Sequence, residues 1–189
     1  MLRRTVLTTM IGVLTALAWL LNPAQAADRE ISVKSDVEFN LSLTTAGTIV
    51  HGGTADGAAV SAEKDGAVVK GSDGKILASS KRTGEALVIL DSAGAPVYSI
   101  QTTPKGYIIN LPSGQQVNRI KIKWEEINLY DKDSLRIAHG GKTEDGFSLK
   151  DESGVESINV KGAPSIQSAA FLVAPIPVQY RVVLWASMP

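Results

Sequence analysis

The chain holds two histidines, His51 and His139. They are its only side chains that titrate near neutral pH when unperturbed, so general-base or metal chemistry would have to begin with them. Each stands before a Gly-Gly pair and a few residues ahead of an acidic-Gly turn, Asp56-Gly57 and Asp145-Gly146. Imidazole nitrogens and carboxylates in that pattern could form a shared metal or anion site of His51, His139, Asp56 and Asp145. Duplication of an ordinary hairpin accounts for the same letters, and spacing alone assigns no nucleophile-base-orienter set around either histidine.

Ser61-Ala62-Glu63-Lys64 and Ser72-Asp73-Gly74-Lys75 carry the serine-lysine spacing of acyl-transfer enzymes. That spacing works by placing both side chains on one helical face. Here it falls in strand-and-turn sequence, so the reading is rejected. Asp131, Asp133, Asp151 and Glu152 could pair for glycoside hydrolysis or bind calcium. A turn role needs no ligand, and the spacing of a calcium loop is absent. The chain is therefore expected to be non-enzymatic, with no catalytic, cofactor-binding or metal-binding residues and no cofactor.

These residues are positioned by a repeat. From Ala67 onward, turn signals recur every twenty residues: Gly71-Ser72-Asp73-Gly74, Asp91-Ser92-Ala93-Gly94, Leu111-Pro112-Ser113-Gly114, Asp131-Lys132-Asp133-Ser134 and Asp151-Glu152-Ser153-Gly154. Asp or Ser bonds its own following backbone, and Gly supplies the positive φ of a tight connection. A second set lies between them, at Asp65-Gly66, Thr83-Gly84, Lys105-Gly106, Glu125-Glu126 and Asp145-Gly146. The runs between turns alternate, as in Ile120, Ile122 and Trp124 against Arg119, Lys121 and Lys123, or Phe147 and Leu149 against Ser148 and Lys150. Period-two alternation between turn signals is the half-buried antiparallel strand.

Counting runs from Ile31 to Lys161 predicts about twelve or thirteen strands, more than an open twisted sheet carries without curling. The fold class expected is all-β, an antiparallel meander of about 12 strands closed into a barrel. Ile49-Val50-His51-Gly52-Gly53 is echoed by Ile137-Ala138-His139-Gly140-Gly141, which reads as a shared hairpin unit.

After Lys161-Gly162 the texture changes. Pro164 and Ser165 can start a short helix, Pro175 ends it, and Pro177 suits the first position of a second. The second segment, from Val178 to Ala186, is apolar nearly all round, with Gln179 and Arg181 as its polar residues, so a buried helix in the barrel core is predicted. A membrane anchor is the alternative, but two prolines interrupt the stretch and it is too short to span.

A many-stranded meander closing around an apolar C-terminal segment, here Ala163 to Met188, resembles the tubby C-terminal-like superfamily of tubby, phospholipid scramblases and LURP-one-related proteins. The resemblance covers residues from about 30 to 189 and is architectural. It implies a barrel threaded by a central helix and, in some relatives, association with lipid headgroups or membrane surfaces. The nearest counterpart of a headgroup pocket is the stripe of Arg119, Lys121 and Lys123, to which no activity is carried over.

The N-terminus reads Met1-Leu2-Arg3-Arg4, an apolar stretch from Val6 to Leu21, then Asn22-Pro23-Ala24-Gln25-Ala26. A basic start, apolar middle and small residues before a cut predict a signal peptide, 1–26, cleaved after Ala26. A retained anchor is the competing reading, against which Pro23 and the short apolar stretch stand. Arg3-Arg4 leaves both the ordinary secretory and the twin-arginine route open. Residues 27–162 are then the hairpin barrel and 163–189 an apolar helix of the same domain, in the periplasm or secreted.

No cysteine is present, so neither a disulfide nor a bacterial lipid anchor is available. Losing Arg3 and Arg4 from 19 bases against 19 acids leaves a formal charge of about minus two, no basis for binding nucleic acid. Aromatics at 5% also argue against a stacking platform. The expected function is a binding or envelope-associated structural module, its partner an envelope protein or lipid. The alternative is a lipid-binding or membrane-surface protein.

Overall fold

Alternating side chains build the wall. In the computed structural model, which describes residues 29–188, fourteen strands stand where the alternating runs are. They are β1 (Arg29–Lys34), β2 (Phe39–Thr44), β3 (Gly47–His51), β4 (Ala59–Glu63), β5 (Gly66–Lys70), β6 (Ile76–Thr83) and β7 (Ala86–Leu90). The second half holds β8 (Pro96–Thr103), β9 (Gly106–Asn110), β10 (Gln116–Lys123), β11 (Glu126–Tyr130), β12 (Arg136–Lys142), β13 (Gly146–Lys150) and β14 (Glu156–Lys161). Each pairs with its neighbours in sequence, and β1 closes antiparallel on β14 through Ser32↔Lys161, Val33↔Val160 and Lys34↔Asn159. The closed ring leaves no unpaired strand edge.

The fold class is as expected, with more strands than the count of about twelve. The difference lies before residue 64, where β1 to β4 are joined by connections outside the twenty-residue spacing, including residues 52–58 between β3 and β4. The predicted signal, 1–26, lies outside the described residues.

Apart from buried Ser80 and Asn118, inward positions are mainly apolar, and Val33, Leu41, Leu87, Ile100, Ile120, Leu129 and Val160 are wholly buried. Each such side chain contributes on the order of 2 kcal/mol. Outward positions include Ser32, Asn40, Ser42, Lys121, Asn128 and Asn159, with single apolar residues such as Ile108 scattered among them. This is the reverse of a barrel whose outside faces lipid.

The turns divide into two rims. At the far rim, Asp91, Asp131 and Asp151 each accept two backbone N–H bonds through Oδ1, with Asp131 taking those of Asp133 and Leu135 at 2.9 Å. The fourth turn residue has positive φ, 79° at Gly94 and 83° at Gly154, and Ser134 occupies that place at 63°. At the opposite rim, where β14 leads into the barrel, Gly106 and Gly146 allow strands to close. A Cβ there would lie 2.1 Å from the Ile120 carbonyl oxygen and 2.0 Å from that of Val160.

Trp124 departs from expectation. Strand β10 ends at Lys123, and Trp124 and Glu125 form the two-residue connection to β11. The ring expected to point inward beside Ile122 is instead 87% exposed.

Two helices fill the interior: α1 (Ile166–Leu172) and α2 (Val178–Ser187). Ser165 caps α1, its Oγ accepting from the Ser168 N–H at 3.1 Å, as a short polar residue does at this position. Pro175 and Pro177 reverse the chain, and α2 returns against β4, β5 and β6. Residues Ala169 to Ala174 and Val182 to Leu184 are buried in one cluster with the inward wall. Among the described residues no helix is long and apolar enough to cross a membrane.

Candidate functional site: the mouth of the barrel

The helices do not fill the rim at which the chain enters. Between the start of α1, the end of α2 and the inner face of β3 and β4 lies a cleft of about 590 Å³, partly open to solvent. That is within the range of small-molecule sites, which favour barrel mouths. Val60 and Ala62 form its wall, and Phe171, Trp185, Ala186 and Met188 its helical side. Thr48, Ser165, Gln167 and Ser168 supply its polar atoms.

Small residues Ala186 and Ala62 face the cleft. Trp185 is half-buried and fixed, its Nε1–H donating to Ser168 Oγ at 2.7 Å. Tyr107 of β9 packs on Phe171 with ring centroids 4.5 Å apart. Burial from solvent pushes the Tyr107 phenol above its usual value of 10.0. Among the described residues, none that lines the cleft has an ionisable side chain.

The histidines are not brought together. His51 ends β3 and His139 lies midway along β12, and β2, β1, β14 and β13 intervene. At about 4.8 Å per strand, they are on the order of 24 Å apart along the wall. Both point outward, paired with Asn40 and with Asn128 and Lys150. Asp56 accepts from the Gly52 N–H at 2.7 Å, and Asp145 lies 3.5 Å from Lys161. The described residues hold no group of three or more His, Asp or Glu able to share a metal.

Nor are the two His-Gly-Gly segments equivalent units. Gly52 and Gly53 have positive φ, 93° and 63°, in the loop that follows β3. Gly140 and Gly141 remain within β12. A shallow outer hollow lies beside His139, flanked by Glu126 and Asn128. Its charges are used locally, by Lys142 with Glu125 at 2.9 Å and Arg136 with nearby Glu152 at 2.8 Å. The Arg136 hydrogen bond holds Glu152 below the usual carboxylate value.

The other candidates are also placed. Ser61 lies on strand β4 and Ser72 on a far-rim turn, so neither serine-lysine spacing meets a helix. Asp131 and Asp151 bind backbone, and Asp133 pairs with Lys132 at 2.8 Å. Lys121 sits over the Tyr130 ring at 4.5 Å, Arg119 donates to Gln116 at 3.1 Å, and Lys123 faces Glu126. The basic stripe is engaged with its neighbours on the wall.

The fold and the cleft together define a closed antiparallel barrel with an apolar helical plug and one apolar mouth. No family model, curated protein or solved structure matches the chain.

The plug was legible in the sequence and the mouth was not. The available signal was in α1, where Gln167 and Ser168 interrupt an otherwise apolar run, and in Trp185, a polar-tipped ring near the end of α2.

Proposed function

We propose that this chain is an exported, non-enzymatic binding protein whose barrel mouth takes an acyl chain or similar apolar molecule. Any charged group of the ligand stays in the water outside. The observation that carries this reading is the apolar cleft of about 590 Å³ whose described lining residues carry no ionisable side chain. Such a lining can bury an apolar body and orient it by a few hydroxyl and amide contacts, but it supplies nothing for proton transfer. The export part of the reading rests on Met1 to Ala26.

Titration of ¹⁵N-labelled protein beginning at Ala27 with lauric acid tests it. Amide shifts should cluster at Thr48, Val60, Ala62, Ser168 and Met188. Shifts confined to the outer wall, or none at all, would refute it.

A further inference from the structure

Trp124 is held where a bulky L-residue rarely sits. Its φ of 57° is in the left-handed region, and its exposed ring gains little contact within the fold to offset the strain. The fold has an ordinary solution for this turn. In the hairpin joining β6 and β7, Gly84 occupies the corresponding place at φ 60°. A strained aromatic tip that the fold does not need is a reason to look for what it meets outside.

We propose that the entry rim docks on a lipid bilayer through Trp124, bringing the mouth to the source of its ligand. The proposal rests on the apolar-ligand reading of that mouth. Trp124 and the mouth share one rim: its neighbour Glu125 lines a hollow with Pro164, Ser165 and Gln167, which also line the cleft. An apolar ligand is sparingly soluble and has to be collected from a lipid phase. An indole ring, apolar in body and polar at its N–H, settles at the headgroup boundary.

Charge plays little part in this docking. Glu125 is paired with Lys142 at 2.9 Å, and Lys123 stands across from Glu126. Docking is therefore by insertion of the ring, and neutral and anionic bilayers serve alike.

The test is flotation of protein beginning at Ala27 with phosphatidylcholine vesicles, and with vesicles that also contain phosphatidylglycerol. The unmodified protein floats with both. Trp124→Gly binds on the order of tenfold more weakly, while its melting temperature rises by about 3 °C as the strain is relieved. Trp124→Tyr keeps most of the binding. Leu135→Ser, which removes a side chain 65% exposed on the opposite rim, leaves it unchanged.

Failure of the unmodified protein to float, flotation of Trp124→Gly equal to it, or equal loss with Leu135→Ser overturns the proposal. So does Trp124-dependent dimerisation without vesicle binding, which would assign the tip to a second copy. The mouth is judged separately, by uptake of lauric acid from solution. Trp124→Gly should take it up normally. Trp124-dependent flotation without uptake would refute the ligand reading alone, and uptake without such flotation would refute the docking alone.

Discussion

Arg181 Nη2 donates to both carboxylate oxygens of Asp36, at 2.8 and 3.1 Å. The contact ties the first turn of α2 to the connection between β1 and β2, across 145 residues of chain. Arg181 is 3% exposed and donates through Nη1 to Ser35 Oγ at 3.0 Å and through Nε to the Ile176 carbonyl oxygen at 2.5 Å. Asp36, in contrast, has a side chain 68% exposed.

The asymmetry predicts unequal costs. Asp36→Ala leaves a buried guanidinium without its counter-charge and should cost about 2 kcal/mol, less than for a fully buried pair because Asp36 is wet. Arg181→Met keeps the volume and frees a carboxylate that water can solvate, so it should cost about 1 kcal/mol. Urea unfolding of both variants checks the order.

Acid titration follows from the same pair. Burial acts to raise the Asp36 pKa and is the largest single influence. The hydrogen bonds from Arg181 and Ser35, with the charge of Arg181, outweigh it and hold the group below 3.8. A carboxyl depressed on folding adds stability that is present above its unfolded value and lost as pH falls through its folded one. Asp36→Asn should therefore flatten the loss of stability below about pH 4, seen as parallel melting curves for the variant where those of the unmodified protein diverge.

Ser134 stands at φ 63° where the other repeats place Gly74, Gly94, Gly114 and Gly154. Ser134→Gly should stabilise the protein by about 1 kcal/mol, since a left-handed conformation costs a residue with a Cβ roughly that much. A fall in the urea midpoint would mean that the serine hydroxyl matters more than its backbone.

The helical tail is an internal part of the barrel. Phe171→Ala removes a ring that is 1% exposed and should cost about 3 to 5 kcal/mol through the cavity left behind. Removing residues 163–189 should abolish cooperative unfolding altogether. A truncated chain with an ordinary thermal transition would show that the wall stands without its filler.

The wall was legible because its physics is local. Period-two alternation in Ile127, Asn128 and Leu129 and the Asp-to-backbone turns act within a few residues, and both are present as read. Trp124 misled for the same reason: it extends the alternation of Ile120 and Ile122, and letters alone do not say that the strand stops one residue earlier. The Arg181 and Asp36 contact and the mouth were not legible. Each joins segments more than a hundred residues apart, as Thr48 and Trp185 do in the cleft, and their meeting depends on how two short helices fit inside a ring of fourteen strands.

Trp185 can report whether the mouth holds an apolar ligand. The chain has three tryptophans, Trp19, Trp124 and Trp185, so protein beginning at Ala27 and carrying Trp124→Gly keeps Trp185 alone, on the wall of the cleft. The measurement is energy transfer from Trp185 to the fluorescent fatty acid cis-parinaric acid, with and without Ala62→Phe to block the cleft. With an apolar ligand in the mouth, transfer saturates and the phenylalanine abolishes it while the fold is kept. Transfer that fails to saturate, or that persists in the blocked protein, would contradict the apolar-ligand reading.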